Sequence, residues 1–525
     1  MNKFFLLVSL FAVSSLFVSC KTETAPPPNN VPATYSVGGT VSGLDGTLIL
    51  QNNGADNLPL DVNGAFTFST KLRSGSVYNV TIKDRPTLQN CAVAHGLGEV
   101  READVTDVAV TCADKEWQTV GELGASVIDD YPVVAVKDDG TIFTLWVQSW
   151  TGGGTTVDRV FSRIFKDGIW SAALPISPEG SGGDASKPRL ALDGSGGVMA
   201  VWLQSNGSKK IVYASRYSGT SWQTPEAISN TGLDNCEDPQ IIAGDGELLA
   251  IWTQDNGSRD SVYTATYSSG SWGSPNQISP NSGGNALTPQ AAYDQSGDVV
   301  AVWTQYSGSN WRIYSSWRNG GSWNSAETII SNDIGSAWRP QVAAPAAGKA
   351  VAVWYQQYGS KDVIFSSSFA DGSWQTPSSI SDSSGGDAAY PVLAMGADGI
   401  VRAVWEQGDS SGQRHIYTAA YAASWSASQL LNTGMSDSGS GQIALDGKGN
   451  GLIVWYQSVG GANFAYASRL KNGAWSGPQQ LSQDSAGGNV FAPNVAISPS
   501  GDAALVWRLN ETSGTSFKAF SRIFR

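Results

Sequence analysis

Residues 188–229 read PRLALDGSGGVMAVWLQSNGSKKIVYASRYSGTSWQTPEAIS. Four short runs of β-forming residues are separated by turn residues. Pro188 to Leu192 is the first, and Asp193-Gly194-Ser195-Gly196-Gly197 is the turn after it. Val198 to Gln204 is the second run, and Ile211 to Tyr217 is the third. Ser221-Trp222 through Ile228-Ser229 is the fourth. No apolar period of 3.6 residues competes with this pattern.

The unit recurs. One Trp series comprises Trp146, Trp202, Trp252, Trp303, Trp354, Trp405, Trp455 and Trp507. A second comprises Trp117, Trp170, Trp222, Trp272, Trp323, Trp374, Trp425 and Trp475. Spacing is 50–56 residues in both, and together they hold 16 of the 20 Trp. Four strands per unit of roughly 50 residues are the signature of a β-propeller blade. The expected fold is therefore all-β, an eight-bladed propeller of four-stranded blades over residues 117–525. Its ends are complementary. Trp117-Gln118-Thr119-Val120 reads as a fourth strand with no preceding three, and the last unit stops after its third strand, Phe517 to Phe524. Paired, they complete one blade and leave no open edge there.

Composition agrees. Charged residues are 15% of the 525, against roughly 25% in soluble domains. Gly is 60 of 525, suiting many tight turns. Aromatic content excludes disorder. Two His cannot build a multi-histidine metal site. Net charge is −13, with no basic run, so nucleic acid is not an expected partner. No cofactor is implied.

The N-terminus is an address. Lys3 precedes an apolar stretch from Phe4 to Val18, which suits a secretory signal peptide over residues 1–19. Leu16-Phe17-Val18-Ser19-Cys20 resembles the lipobox of bacterial lipoproteins, with Phe17 where that family usually has Leu. The resemblance implies lipidation of Cys20 and membrane attachment through the lipid anchor alone. Lys21 after the Cys implies transfer to the outer membrane, on its cell-surface or periplasmic face. Pro26, Pro27, Pro28 and Pro32 make residues 20–34 an extended tether.

Residues 35–113 alternate in short runs with turn signals such as Asn52-Asn53-Gly54 and Asn63-Gly64. This segment resembles the small immunoglobulin-like modules of bacterial surface lipoproteins, a β-sandwich serving as a stalk. Cys91 and Cys112 are its two Cys, and an exported chain permits their disulfide. Closing that loop contributes about 3 kcal/mol.

Within the repeat, Ser215-Arg216-Tyr217-Ser218-Gly219-Thr220-Ser221-Trp222 resembles the Asp-box of sialidase-like propellers. The Ser, Gly and Trp match; Tyr217 replaces the Asp. Ser316 through Gly320 to Trp323 fits in the same way, with Arg318 at the Asp position. The resemblance implies a sialidase-like propeller with a degenerate box. It does not extend to activity. Arg163-Ile164 and Arg522-Ile523 lack the Pro of the family's Arg-Ile-Pro motif and lie on third strands. First strands carry only Arg189, with Arg339 just before another, so three convergent Arg are missing.

Other catalytic sets fare no better. His95 is expected exposed in the small domain, and His415 exposed in a propeller loop. Cys236 reads as a lone loop thiol. Neither His nor Cys has the partners that nucleophilic catalysis needs. Asp193-Gly194, Asp245-Gly246, Asp398-Gly399 and Asp446-Gly447 resemble cation loops, but tight hairpins between strands one and two want Asp-Gly anyway. No catalytic residue and no metal ligand is assigned.

Ligands of propellers usually meet the loops from strand four to the next blade and from strand two to strand three. The first set is acidic, with Asp184, Glu237, Asp238, Asp387 and Asp437 among its members. The second starts from a recurring Trp-x-Gln that gives Gln204, Gln254, Gln305 and Gln356, broken by Leu509 in the eighth unit. One reading is structural: the Trp packs between blades and the Gln holds a loop backbone. The other is a ring of shallow sugar sites using the Gln amides. Four Trp lie outside both series: Trp150, Trp311, Trp317 and Trp338. Of these, Trp150, Trp311 and Trp338 fall in or beside the ligand-face loops, where Tyr306 and Tyr358 add aromatics. The leading expectation is a non-enzymatic binding module for glycan or protein ligands. A sialidase-like glycoside hydrolase or lyase is one alternative, and an envelope assembly scaffold is the other.

Overall fold

The computed structural model describes residues 32–127, 131–152, 154–178, 183–193, 196–325, 330–432, 434, 437–482, 488–510 and 517–525. The signal segment, Cys20 and most of the tether lie outside the described residues. The chain divides into two compact units. One runs to Asp84 and includes Cys91–Cys112; the other holds Arg85–Asn90 and Ala113–Arg525.

The smaller unit has two four-stranded sheets. In the first, Gly64–Thr67, Val37–Ser42, Val105–Asp114 and Gln89–Ala94 lie side by side. In the second, the order is Asp56–Leu60, Leu48–Asn52, Val77–Asp84 and Leu97–Glu99. Alternation along Leu48–Asn52 points Leu48 and Leu50 inward, and they share a core with Val37, Phe66, Phe68, Val108 and Val110. The expected hairpin at Asn52–Gly54 is present. Asn53 and Gly54 both have positive φ, 50° and 69°, in the three-residue loop between the paired Asn52 and Asp56. Cys91 and Cys112 form the disulfide.

The larger unit is a β-propeller. Six of its sheets are separate, with four or five strands each, and the chain ends share a nine-stranded seventh. Within a sheet, consecutive strands pair antiparallel. The first strands touch in sequence: Val133–Val136, Ala185–Leu192, Cys236–Ala243, Ala286–Tyr293, Ala337–Ala346, Ala388–Met395, Ser438–Leu445 and Asn489–Ile497. The last also touches the first, which makes the contacts a closed cycle. No helix occurs among the described residues.

The first Trp series is the core of this unit. All eight indoles are buried. Each stacks on the aromatic ring opposite it on the third strand, from Trp146 on Phe161 to Trp507 on Phe520, at centroid distances of 6.0–6.4 Å. The second series ties sheets together: Trp222 Nε1 donates to Ser162 Oγ and Trp374 Nε1 to Ser315 Oγ, each in the preceding sheet. The box Ser also has a role. Ser215, Ser316, Ser367 and Ser468 each donate to the carbonyl of the residue after a Trp of that series.

Several expectations need correction. Fourth strands are not continuous. Around Trp222 a single bridge to Tyr217 is followed by Glu226–Ala227, because Pro225 has no N–H for the ladder. First strands begin three residues earlier than read, at Ala185 rather than Pro188. A bulge at Lys187-Pro188 carries the chain through it, and Lys187 takes φ 51°. The fourth strand expected at Trp117–Val120 bridges Phe524 at Trp117, but most of the pairing with Phe517–Phe524 is made by Gly121–Val127. Cys236 is not in a loop; it opens a first strand and is fully buried, which pushes its thiol pKa up to about 11. His415 is buried on the strand Arg414–Tyr421, with Nε2 3.1 Å from Asp409 and Nδ1 3.2 Å from Asn432.

Candidate functional site

In every sheet the start of strand one, the end of strand two and the start of strand three lie at one end, as pairs such as Ala286 with Gln305 and Tyr306 with Trp311 show. Three repeated clamps shape this end. A Ser after six fourth strands accepts a third-strand N–H, for example Val212 to Ser229 and Val262 to Ser279, and Asn432 does the same for Ile416. A side-chain oxygen of the following loop accepts the N–H that opens strand three: Asp158 to Asp184, Lys210 to Asn235, Asp260 to Asn285, Asp362 to Asp387 and Arg414 to Asp437.

The third clamp is Trp-x-Gln. The indole N–H donates to the Gln oxygen in all seven units that have the Gln, from Trp146 with Gln148 to Trp455 with Gln457. The Gln amide N–H groups go to the loop carbonyls. Gln204 reaches Gly183, Gln254 reaches Asn230, Gln305 reaches Ser282 and Gly284, and Gln356 reaches Asn332 and Gly335. All four Gln are buried. The reading of Gln204, Gln254, Gln305 and Gln356 as sugar-facing groups is therefore corrected: their amides hold the loops from inside. Asp184, Asp387 and Asp437 are likewise occupied as loop caps. Asp193, Asp398 and Asp446 use their carboxylates on their own turns, as when Asp446 accepts from the N–H groups of Lys448 and Asn450.

Aromatic rings also reach this end. Tyr306 ends a second strand and Trp311 opens the third; their rings are 5.4 Å apart. Trp338, two residues into the next first strand, lies 4.7 Å from Trp311. Tyr306 is 36% exposed, and both Trp are half-buried. Thus three of the five aromatics singled out in sequence come together. One sheet earlier the equivalent residues are Asp260 and Leu287, and two sheets earlier they are Lys210 and Glu237, joined by an ion pair of 2.6 Å. No other slot with both positions described pairs two aromatic residues there.

The other two lie apart. Trp150 packs beneath the Arg159 guanidinium, 5.0 Å away, with Gly152 making room for its ring. Tyr358 is 50% exposed and touches Phe365 at 6.3 Å. Trp317 is buried against Phe369. Sequence reading missed Tyr355, Tyr390 and the role of Arg339. Tyr355 is the cross-strand partner of Trp338 and lies 6.3 Å from Tyr390. The exposed Arg339 guanidinium sits 5.1 Å over the Tyr390 ring. Arg339 and Tyr390 hold the same bulge position in successive sheets, with φ 50° and 54°.

Three carboxyls at this end of the unit are raised above their ordinary values. Burial pushes the Asp362 carboxyl up from the usual carboxylate range, and Asp387 beside it adds to the shift. Burial raises Asp260 in the same way, helped by Asp255, Glu237 and Asp238. Burial also raises Glu406, although the Ser440 N–H and Arg414 oppose it. Among the described residues no group of three His, Cys, Asp or Glu is placed to hold a metal ion.

No protein-family model matches this chain, and no curated protein matches it. Solved structures do. A lectin from Burkholderia pseudomallei is 14% identical, with 68% of this chain and 100% of the lectin covered and a TM-score of 0.44. An ulvan lyase, a polysaccharide lyase, is 11% identical, with 62% and 90% covered and a TM-score of 0.43. A Hadza microbial sialidase is 11% identical, with 80% of each chain covered and a TM-score of 0.36.

Proposed function

We propose that this protein is an exported, lipid-anchored glycan-binding protein. In this reading Cys20 carries the lipid, the outer membrane is the destination and the small unit is an immunoglobulin-like stalk. The larger unit is an eight-bladed propeller closed by its terminal strands, and it binds without turnover. Support for eight blades comes from the eightfold Trp-on-aromatic stack and the eight first strands in cyclic contact. The observation that carries the function is the trio Tyr306, Trp311 and Trp338. Sugars present apolar C–H faces between hydroxyls, and amphipathic rings fixed on a rigid scaffold suit both. The two flanking slots have Asp260 with Leu287 and Asp362 with Ala389 at the positions of Trp311 and Trp338, so the repeat does not demand aromatics there.

A glycan array on the purified protein, followed by calorimetry, tests this. Trp311→Ala should weaken binding of any hit by at least about tenfold, roughly 1.4 kcal/mol. The array should show no product.

Asp362 favours a second reading, a glycoside hydrolase or lyase. Burial, with Asp387 beside it, raises its carboxyl above the usual carboxylate range, and its charge acts on Tyr355 beside the trio. An upward shift is the direction a general acid needs. Release of shortened sugars, lost in Asp362→Asn, would establish it and retire the binding-only reading.

A further inference from the structure

We propose that the aromatic surface reads an internal stretch of an unbranched polysaccharide chain, not a single terminal sugar. The inference rests on the glycan reading above and deepens it.

The rings do not stop at the trio. Tyr306 and Trp311 come from one sheet, Trp338 and Tyr355 from the next, and Tyr390 from the one after. Successive centroids are 5.4 Å and 4.7 Å apart up to Trp338. Tyr355 faces Trp338 directly across the strands, where side chains of one face meet. The last step, from Tyr355 to Tyr390, is 6.3 Å. The path thus crosses three sheets in steps comparable to the repeat of a pyranose chain.

Both ends of the path are open. Tyr306 is 36% exposed and Tyr390 47%, whereas the central rings are half-buried. A site for one terminal sugar would be enclosed on one side. Two half-open grooves of this unit lie at other sheets, one lined by Asp193, Arg216 and Glu247 and one by Trp117, Arg469 and Arg522. Neighbouring rings are tilted by 59°, 37° and 55°, so they offer no common plane. That suits a twisted single chain and not a flat crystalline surface. Arg339, stacked on Tyr390, sets N–H donors beside the far end of the path for hydroxyl or acidic groups.

The test uses the full-length protein and size series of linear glucan, xylan, mannan and galacturonan fragments, from monosaccharide to hexasaccharide, in calorimetry. Affinity for the series that binds should rise at least about tenfold between disaccharide and tetrasaccharide and then level off. Tyr306→Ala and Tyr390→Ala change exposed end residues. Each should weaken the longer fragments several-fold and leave the disaccharide unchanged. A monosaccharide that binds as tightly as the hexasaccharide overturns the chain reading while the glycan reading stands. Binding to none of the series, nor to any glycan on the array, overturns both.

Discussion

At the scale of single residues, the chain spends its polar side chains on its own backbone. Gln356 is the clearest case. Its oxygen accepts the Trp354 indole N–H at 3.0 Å, and its amide N–H groups reach Asn332 and Gly335. Gln356→Leu keeps the volume and strands a buried indole donor and two carbonyls. The expected cost is about 1–3 kcal/mol, read from the urea midpoint at unchanged slope. Asp294 supplies a pH-dependent counterpart. Its Oδ1 accepts from the Ser296 N–H, the Ser296 hydroxyl and the Asp298 N–H, and its Oδ2 from the Gly348 N–H of the next sheet. Burial alone would raise this carboxyl, but those bonds hold it below its ordinary value. A depressed carboxylate contributes stability above the unfolded pKa and loses it as pH falls through the folded one. Asp294→Asn should therefore be destabilised by about 1.5–3 kcal/mol at pH 7. The gap to the parent should close below about pH 4. Urea midpoints of both proteins across that range decide it; a gap that ignores pH would remove the charge from the account.

At the scale of the element, the informative piece is the bulge that opens the first strands. Lys187, Asp238, Thr288, Arg339, Tyr390 and Ala492 precede Pro, Ser440 precedes Gly441, and all seven have φ between 49° and 56°. Thr288 is the most strained, because a β-branched side chain crowds its own backbone there. Thr288→Gly relieves about 1–2 kcal/mol of left-handed strain against a chain-entropy loss of about 0.5–1 kcal/mol. The melting temperature should hold or rise slightly, whereas Thr→Gly within a regular strand lowers it. The bulge also marks where sequence reading reached its limit. The strands, the turns and the buried Trp series were legible because apolar alternation and Trp spacing report burial directly. The recurring X-Pro was equally visible, but a residue before Pro is ordinarily extended, so its left-handed φ ran against local preference and reflects the sheet around it. Trp311 and Trp338 were visible as departures from the repeat. Their contact was not, because it joins different sheets and follows only from how those sheets pack. Tyr390 carried no mark in the linear chain, and the buried state of the Gln amides emerged only with the loops they hold.

At the scale of the whole molecule, the larger unit depends on pairing between residues some 400 positions apart. Gly121–Val127 runs antiparallel to Phe517–Phe524. Glu116 and Arg525 exchange two backbone hydrogen bonds at 3.2 Å, and the Gln118 N–H donates to the Ile523 carbonyl at 2.7 Å. Trp117 packs on Phe524 at 5.2 Å, and buried Lys115 pairs with Asp502 at 2.9 Å. Such contacts form late and slowly, since a long loop must close before they contribute. Phe524→Ala should cost about 3–5 kcal/mol, because the ring is buried and its neighbours belong to strands that cannot easily collapse inward. Deleting residues 517–525 goes further. It removes the partner of Gly121–Val127 and of Ala503–Asn510 together, leaving two strands with unpaired edges. Calorimetry should then show a broadened transition at lower temperature, and light scattering should show association through the bared edges. A monomeric deletion variant that melts as sharply as its parent would mean that the sheets are held by their Trp-packed neighbours alone. A sharp loss in Phe524→Ala beside a merely additive loss in a mid-unit variant such as Trp354→Phe would place the cooperativity at the seam.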